Sequence, residues 1–122
     1  MKAAPLGKIY KNGEIIVRQG DEGNCMYVIQ TGKVEVIKEE QCKKISLGFL
    51  GVGEFFGEMA LFEKEHRSAT VLAQGQARIL TIDKRTLLRR IQEDPTLAFH
   101  LLEKLSQRIR ELNAKLISVA TK

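Results

Sequence analysis

The sequence predicts a mainly β protein with C-terminal helices, an antiparallel β-roll of jelly-roll-like form. Three observations carry this. From Glu14 to Asp83 the chain runs as short apolar or alternating segments, EIIVRQG, MYVIQTG, KVEVIK, KKISLGFLG, RSATVLAQG and ARILTID. Such segments fit strands with one face buried. Glycines punctuate them, at Asn12-Gly13, Gly20, Gly23, Thr31-Gly32, Gly51, Gly53 and Gly75. Each is a candidate for positive φ, and frequent tight turns between short strands favour a roll or barrel over an open sheet. After Asp83 the apolar period changes from two to about 3.6 residues.

KRTLLRRIQED places Leu87, Leu88 and Ile91 on one helical face until Asp94-Pro95 breaks the run. A second helix is expected from Pro95, with Asp94 as its cap and Pro95 at its first position, continuing to about Val119. Ala98, Leu102, Leu105, Ile109, Leu112, Leu116 and Val119 recur along it in alternating steps of four and three. This stripe is long enough to propose a coiled-coil seam. Leu97 and Leu101 widen its start, so the first turns are expected to pack on the roll and the later turns to face a second chain. The roll is expected over about residues 8–83 and the closing helices over about 84–119, as one domain covering the whole chain.

Size and composition narrow the function classes. A chain of 122 residues buries one core without disulfides or metal. With 43% hydrophobic and 29% charged residues the chain is neither disordered nor membrane-spanning in type. No apolar run approaches a membrane span, and MKAAPLGKIYKNGE is not a signal peptide, so a cytoplasmic protein is expected. Cys25 and Cys42 lie in separate strand-like segments without CxxC spacing and are read as reduced, not metal-binding. The net charge of +5 admits an anionic partner. The basic residues between Lys84 and Arg110 nevertheless interleave with Asp83, Glu93, Asp94, Glu103 and Glu111 and lack stacking aromatics, so a solvated helix surface is expected, not a nucleic-acid patch.

The informative stretch is Gly53 to Val71, GEFFGEMALFEKEHRSATV. Phe56-Gly57-Glu58, Ala60-Leu61 and Arg67-Ser68-Ala69-Thr70-Val71 resemble the phosphate-binding cassette of the cyclic nucleotide-binding domain family. That family includes catabolite-activator and fumarate-nitrate-regulator type effector domains, cyclic-nucleotide-dependent kinases and nucleotide-gated channels. The resemblance extends to Gly13–Gly32 and the closing helices. It implies a short cassette helix, a long C-terminal dimerisation helix, and a nucleotide site drawing on Phe56, Gly57, Glu58, Met59, Ala60, Arg67, Ser68 and Ala69, with Arg108 and Asn113 from the long helix.

The residue types suit that chemistry. A cyclic phosphodiester carries one negative charge, and Arg67 offers it a forked, permanent cation. Gly57 admits close backbone approach, and the turn through Met59 and Ala60 offers N–H groups as at a helix N-terminus. Ser68 adds a hydroxyl. Glu58 would repel a phosphate but suits a ribose 2′-hydroxyl, the role the resemblance also implies. The plain alternative is a Glu58–Arg67 ion pair. Phe55 and Phe56 also read as core, Met59 as a filler between cassette and roll, and His66 as a solvated loop residue.

Counting from Arg67, the hydroxyl pair that relatives place on the long helix corresponds to Leu112 and Asn113. Only Asn113 can address a purine edge. The expected ligand is cAMP, with cGMP possible, and no cofactor is required. No enzyme is expected, because a metal-dependent activity would need a ligand cluster and His66 and His100 stand apart. His100 as a haem ligand is the minor alternative. Transcription factors of the family add a helix-turn-helix domain after the long helix; the chain stops at Lys122. The expected protein is therefore a sensor, either acting in trans on a regulatory partner or cut from a larger regulator. It is expected to homodimerise through its last helix, with no direct nucleic-acid or membrane contact. A dimerisation module that ignores nucleotide is the competing reading.

Overall fold

The computed structural model describes residues 6–62 and 66–120, without the side chains of Val119 and Ala120. Among the described residues six strands, β1 (Lys8–Tyr10), β2 (Ile15–Val17), β3 (Cys25–Glu40), β4 (Lys43–Leu50), β5 (Phe55–Phe56) and β6 (Thr70–Asp83), precede helices α1 (Lys84–Glu93) and α2 (Thr96–Ala120). A single 3-10 turn, Glu58–Leu61, follows β5. The strands form one antiparallel sheet in the order β1-β6-β3-β4, with β2 also on β6 and β5 also on β3. The predicted fold class holds.

The centre of the roll is the β3–β6 pair, which runs from Cys25 opposite Asp83 to Ile37 opposite Thr70. Alternation places Val71, Ala73, Ala77 and Ile79 of β6 inward, where they meet Val17, Ile29, Val34 and Phe56 in the core. The glycine pattern predicts breaks at Thr31-Gly32 in β3 and at Gly75 in β6. Both strands in fact run through. Gly32 has φ of +80°, and a Cβ there would overlap Gln76 O and lie 2.9 Å from Ala77 Cα. The register shifts between Ile29 and Lys33. Gly32 therefore marks a bulge where two strands approach closely, not a reversal of the chain.

The reversal lies instead between β3 and β4. Glu40 pairs with Lys43, and Gln41 and Cys42 form the two-residue turn with φ of 50° and 64°. Neither residue signals a turn, and Cys42 sits in this turn rather than in a strand. Of the glycines expected at positive φ, Gly23 and Gly51 do not adopt it, whereas Gly48 and Gly57, outside that set, do. The Gln19 side chain ties the segment after β2 to the far end of β3. Its amide donates to Glu39 O (2.9 Å) and accepts from Glu39 N (2.8 Å), as a neighbouring strand would.

Two compact units divide between Lys84 and Arg85. In the helical unit the predicted cap is present: Asp94 Oδ1 accepts from Thr96 N at 3.2 Å, and Leu97 N donates to Asp94 O at 3.0 Å. Leu87 is buried. Leu102, Ile109, Leu112 and Leu116 of the predicted stripe are 58–68% exposed, and Leu105 is half-buried. The side chain of Val119 lies outside the described residues. No helix among the described residues is long and apolar enough to cross a membrane.

Candidate functional site

Arg67 is positioned by its backbone before its side chain. Its N–H donates to Asp21 O (2.7 Å), its C=O accepts from Gly20 N (2.8 Å), and the preceding His66 forms an antiparallel bridge with Glu22. The segment entering β6 thus runs beside the Gly20–Asn24 loop. Thr70 Oγ1, accepting from Gln19 N at 3.0 Å, continues that pairing.

From this base the Arg67 guanidinium reaches the start of the 3-10 turn. Nη1 donates to Gly57 O (2.9 Å) and Nη2 to Cys25 O (2.8 Å), with Cys25 Sγ 3.9 Å from Nη2. Cζ lies 5.6 Å from the centre of the Tyr27 ring, within cation–π range. Two neutral carbonyls, a thiol and a ring face hold a full cation by dipole and dispersion, and these partners do not cancel its charge. Donors remain, since a guanidinium has five N–H groups.

Gly57 is glycine for two reasons. Its φ of 77° is left-handed, and a Cβ would lie 2.6 Å from Arg67 Nη1 and 3.3 Å from Tyr27 Cδ2. Tyr27 lies across from Phe56 in the β3–β5 pair, and their rings stack with centroids 5.1 Å apart. Burial, together with the Cys25 sulfur 3.4 Å from its hydroxyl, pushes the Tyr27 phenol up to about 12, while the nearby Arg67 cation opposes the rise.

Gly57 and Arg67 are in direct contact, and Glu58 opens the 3-10 turn one residue beyond Gly57. Phe56 is 5% exposed and its ring belongs to the core, so the core reading of the two phenylalanines stands. Met59 is 57% exposed and does not fill space against the roll, a correction to that reading. Ala60 N is spent within the turn on Gly57 O, at 3.3 Å. Ser68 is exposed and Ala69 half-buried. Arg108 and Asn113 belong to α2, in the second unit. The predicted cassette helix is this single 3-10 turn, because Gly57 sets a left-handed entry and Phe62 N closes it on Met59 O at 3.1 Å.

A cavity of about 270 Å³ opens beside Arg67, between the segments Ile15–Arg18 and Asp21–Cys25, with Tyr27 also on its wall. Arg67 is the member of the predicted set that the described lining includes. Sequence reasoning missed Asp21, Gly23, Cys25 and Tyr27 as Arg67's neighbours. The only signal for them was that they fall within the Gly13–Gly32 stretch of the resemblance, which assigned them no role. Among the described residues no group of three potential metal ligands occurs.

Residues 8–94 match the cyclic nucleotide-binding domain family. The cyclic AMP receptor protein of Thermus thermophilus is 33% identical over 110 residues, which is 89% of this chain and 51% of that protein. This chain therefore spans about half the length of that relative. The crystal structure of the Thermus thermophilus catabolite activator protein superposes with a TM-score of 0.79 at 32% identity, covering 93% of this chain and 54% of that one. An EAL enzyme solved in cAMP-bound and cGMP-bound forms superposes with a TM-score of 0.64 in each, at 34% and 32% identity, over 88% of this chain and 29% of the enzyme. On the match over residues 8–94 and the arginine–glycine geometry of the cassette, this chain belongs to the cyclic nucleotide-binding domain family.

Proposed function

We propose that this chain is a sensor module that binds one cyclic nucleotide, cAMP in the first place and cGMP as the alternative, without doing chemistry on it. The observation that carries this reading is the Arg67 guanidinium fixed beside Gly57 by neutral partners, one residue from Glu58. A monoanionic phosphodiester supplies the charge those partners lack, and the carboxylate of Glu58 suits the neighbouring ribose hydroxyl. Ser68 adds a hydroxyl donor, and Asn113 is the polar group we assign to the purine edge. The names of the relatives support cAMP, and the EAL enzyme in both bound forms keeps cGMP in view.

We further read the module as a homodimer through α2 that relays binding through its C-terminal helices to a regulatory partner. The exposed leucines and Ile109 of the α2 stripe favour the dimer. Calorimetric titration with cAMP and with cGMP tests the binding. Saturable heat at one ligand per chain is expected. A folded protein giving no heat and no thermal shift at millimolar concentrations of either would leave the competing reading, a dimerisation module that ignores nucleotide. Hydrogen exchange tests the relay: protection should rise at Gly57 and Ser68 and change in α1 and α2, with residues 14–37 nearly unaffected. A change confined to the cassette would reduce the module to simple binding.

A further inference from the structure

Gly23 differs from the other glycines that exclude a side chain. Gly7 and Gly32 would drive a Cβ into the backbone of β6, and Gly57 is held at a left-handed φ. Gly23 has no left-handed φ, so the chain at this position admits alanine. What a Cβ would meet there is one side chain: it would overlap Cζ, Nε and Nη2 of Arg67. The guanidinium is packed directly on the bare backbone of Gly23, with Nη1 on Gly57 O and Nη2 on Cys25 O. Gly20 and Gly13, with open space where a Cβ would stand, serve the chain's path alone.

We propose that Gly23 is a positioning residue for Arg67: its missing Cβ provides the seat that fixes the guanidinium between the Gly20–Asn24 loop and Gly57. This rests on the reading of Arg67 as the phosphate anchor. A long cation free to sample many rotamers loses that freedom on binding, whereas one already seated does not, so the seat acts on affinity without touching the ligand. Because the overlapping atoms are the far end of a flexible side chain, a methyl group at position 23 displaces Arg67 and leaves the roll intact.

The test is Gly23→Ala, alone and combined with Arg67→Ala. The single variant is expected to melt within about 3 °C of the parent, as a change without core damage does. It should shift the Arg67 Nε–H resonance of the ligand-free ¹⁵N-labelled protein, assigned by its loss in Arg67→Ala. It should weaken cAMP binding by about tenfold or more, an effect of lost pre-organisation. In the Arg67→Ala background it should weaken binding no further. An unmoved resonance, unchanged affinity, or equal weakening in both backgrounds overturns the proposal. Should the single variant fail to fold, recovery in the double variant sustains the overlap with Arg67 and no recovery overturns it. If the parent protein binds neither cAMP nor cGMP, the phosphate-anchor reading fails, and the resonance alone decides whether Gly23 seats Arg67.

Discussion

The roll and the long helix use the same residue types to opposite ends. Ile79 in β6 is 1% exposed, packed among Ile29, Val34 and Phe56, while Ile109 in α2 is 58% exposed on a stripe of similar residues. Paired strands bury one face against each other within a single chain. The α2 stripe instead leaves Leu102, Ile109, Leu112 and Leu116 exposed. Apolar patterning marks a surface that will be covered, and it does not identify the cover.

The sharpest way to break this comparison is a matched pair of truncations. Ile79→Ala should destabilise the protein by about 2–5 kcal/mol in chemical denaturation, the range for a buried isoleucine. Ile109→Ala should change the stability of the separated chain by less than about 0.5 kcal/mol. Equal losses would mean that the helix is as much core as the sheet. Within the roll, Arg67→Ala should weaken cAMP binding by about 2–5 kcal/mol, and Glu58→Ala by less, since its partner is a neutral hydroxyl. A reversed ranking in calorimetry would show the two roles exchanged.

Smaller effects sharpen the contrast further. Replacing Gln41-Cys42 by Asn-Gly should stabilise the β3–β4 hairpin by about 1 kcal/mol, because both positions have left-handed φ that these residues accept with less strain. Unchanged denaturation midpoints would mean that the turn relaxes at no cost. Leu112→Lys should halve the mass measured by light scattering and leave the melting of the monomer nearly unchanged. A parent that is monomeric at every concentration would sink the dimer. A last signal is in pH. The Tyr27 phenol holds its proton up to about 12 in the fold, against 10.0 ordinarily. Its contribution is therefore complete below pH 10 and lost as pH rises from 10 to about 12, since there the folded state binds the extra proton. Tyr27→Phe should flatten that limb of the stability curve.

Much of this was legible in the residues. Alternation in RSATVLAQG and ARILTID marks the two halves of β6, the change of period marks α1, and Asp94-Pro95 marks the start of α2, because each is a local rule with a local cause. The cassette was legible through its resemblance to the family's motif, whose residues Gly57, Glu58 and Arg67 stand close in sequence. What escaped depended on distant neighbours. Gly23 looks like any turn glycine until the side chain of Arg67, far along the chain, arrives on it. Gly32 looks like a turn until β6 is laid beside it. Gln41-Cys42 offers no turn chemistry, so the reversal there is imposed by the pairing of β3 with β4. Met59 has the composition of a filler, yet the turn leaves it exposed.

The pairing of β3 with β6 also bears on how the chain is made. The first residue of β3, Cys25, has its partner in Asp83 at the end of β6, so the central pair of the roll joins stretches far apart in sequence. Contacts of that kind must close long loops before they are rewarded, and folds built on them form in milliseconds to seconds, while an isolated helix settles in about a microsecond. A ribosome delivers β3 long before β6. Until Asp83 has emerged, the nascent chain carries a long strand, rich in valine and isoleucine, without its main partner. That interval is when this protein is most exposed to aggregation, and when a chaperone has most to hold.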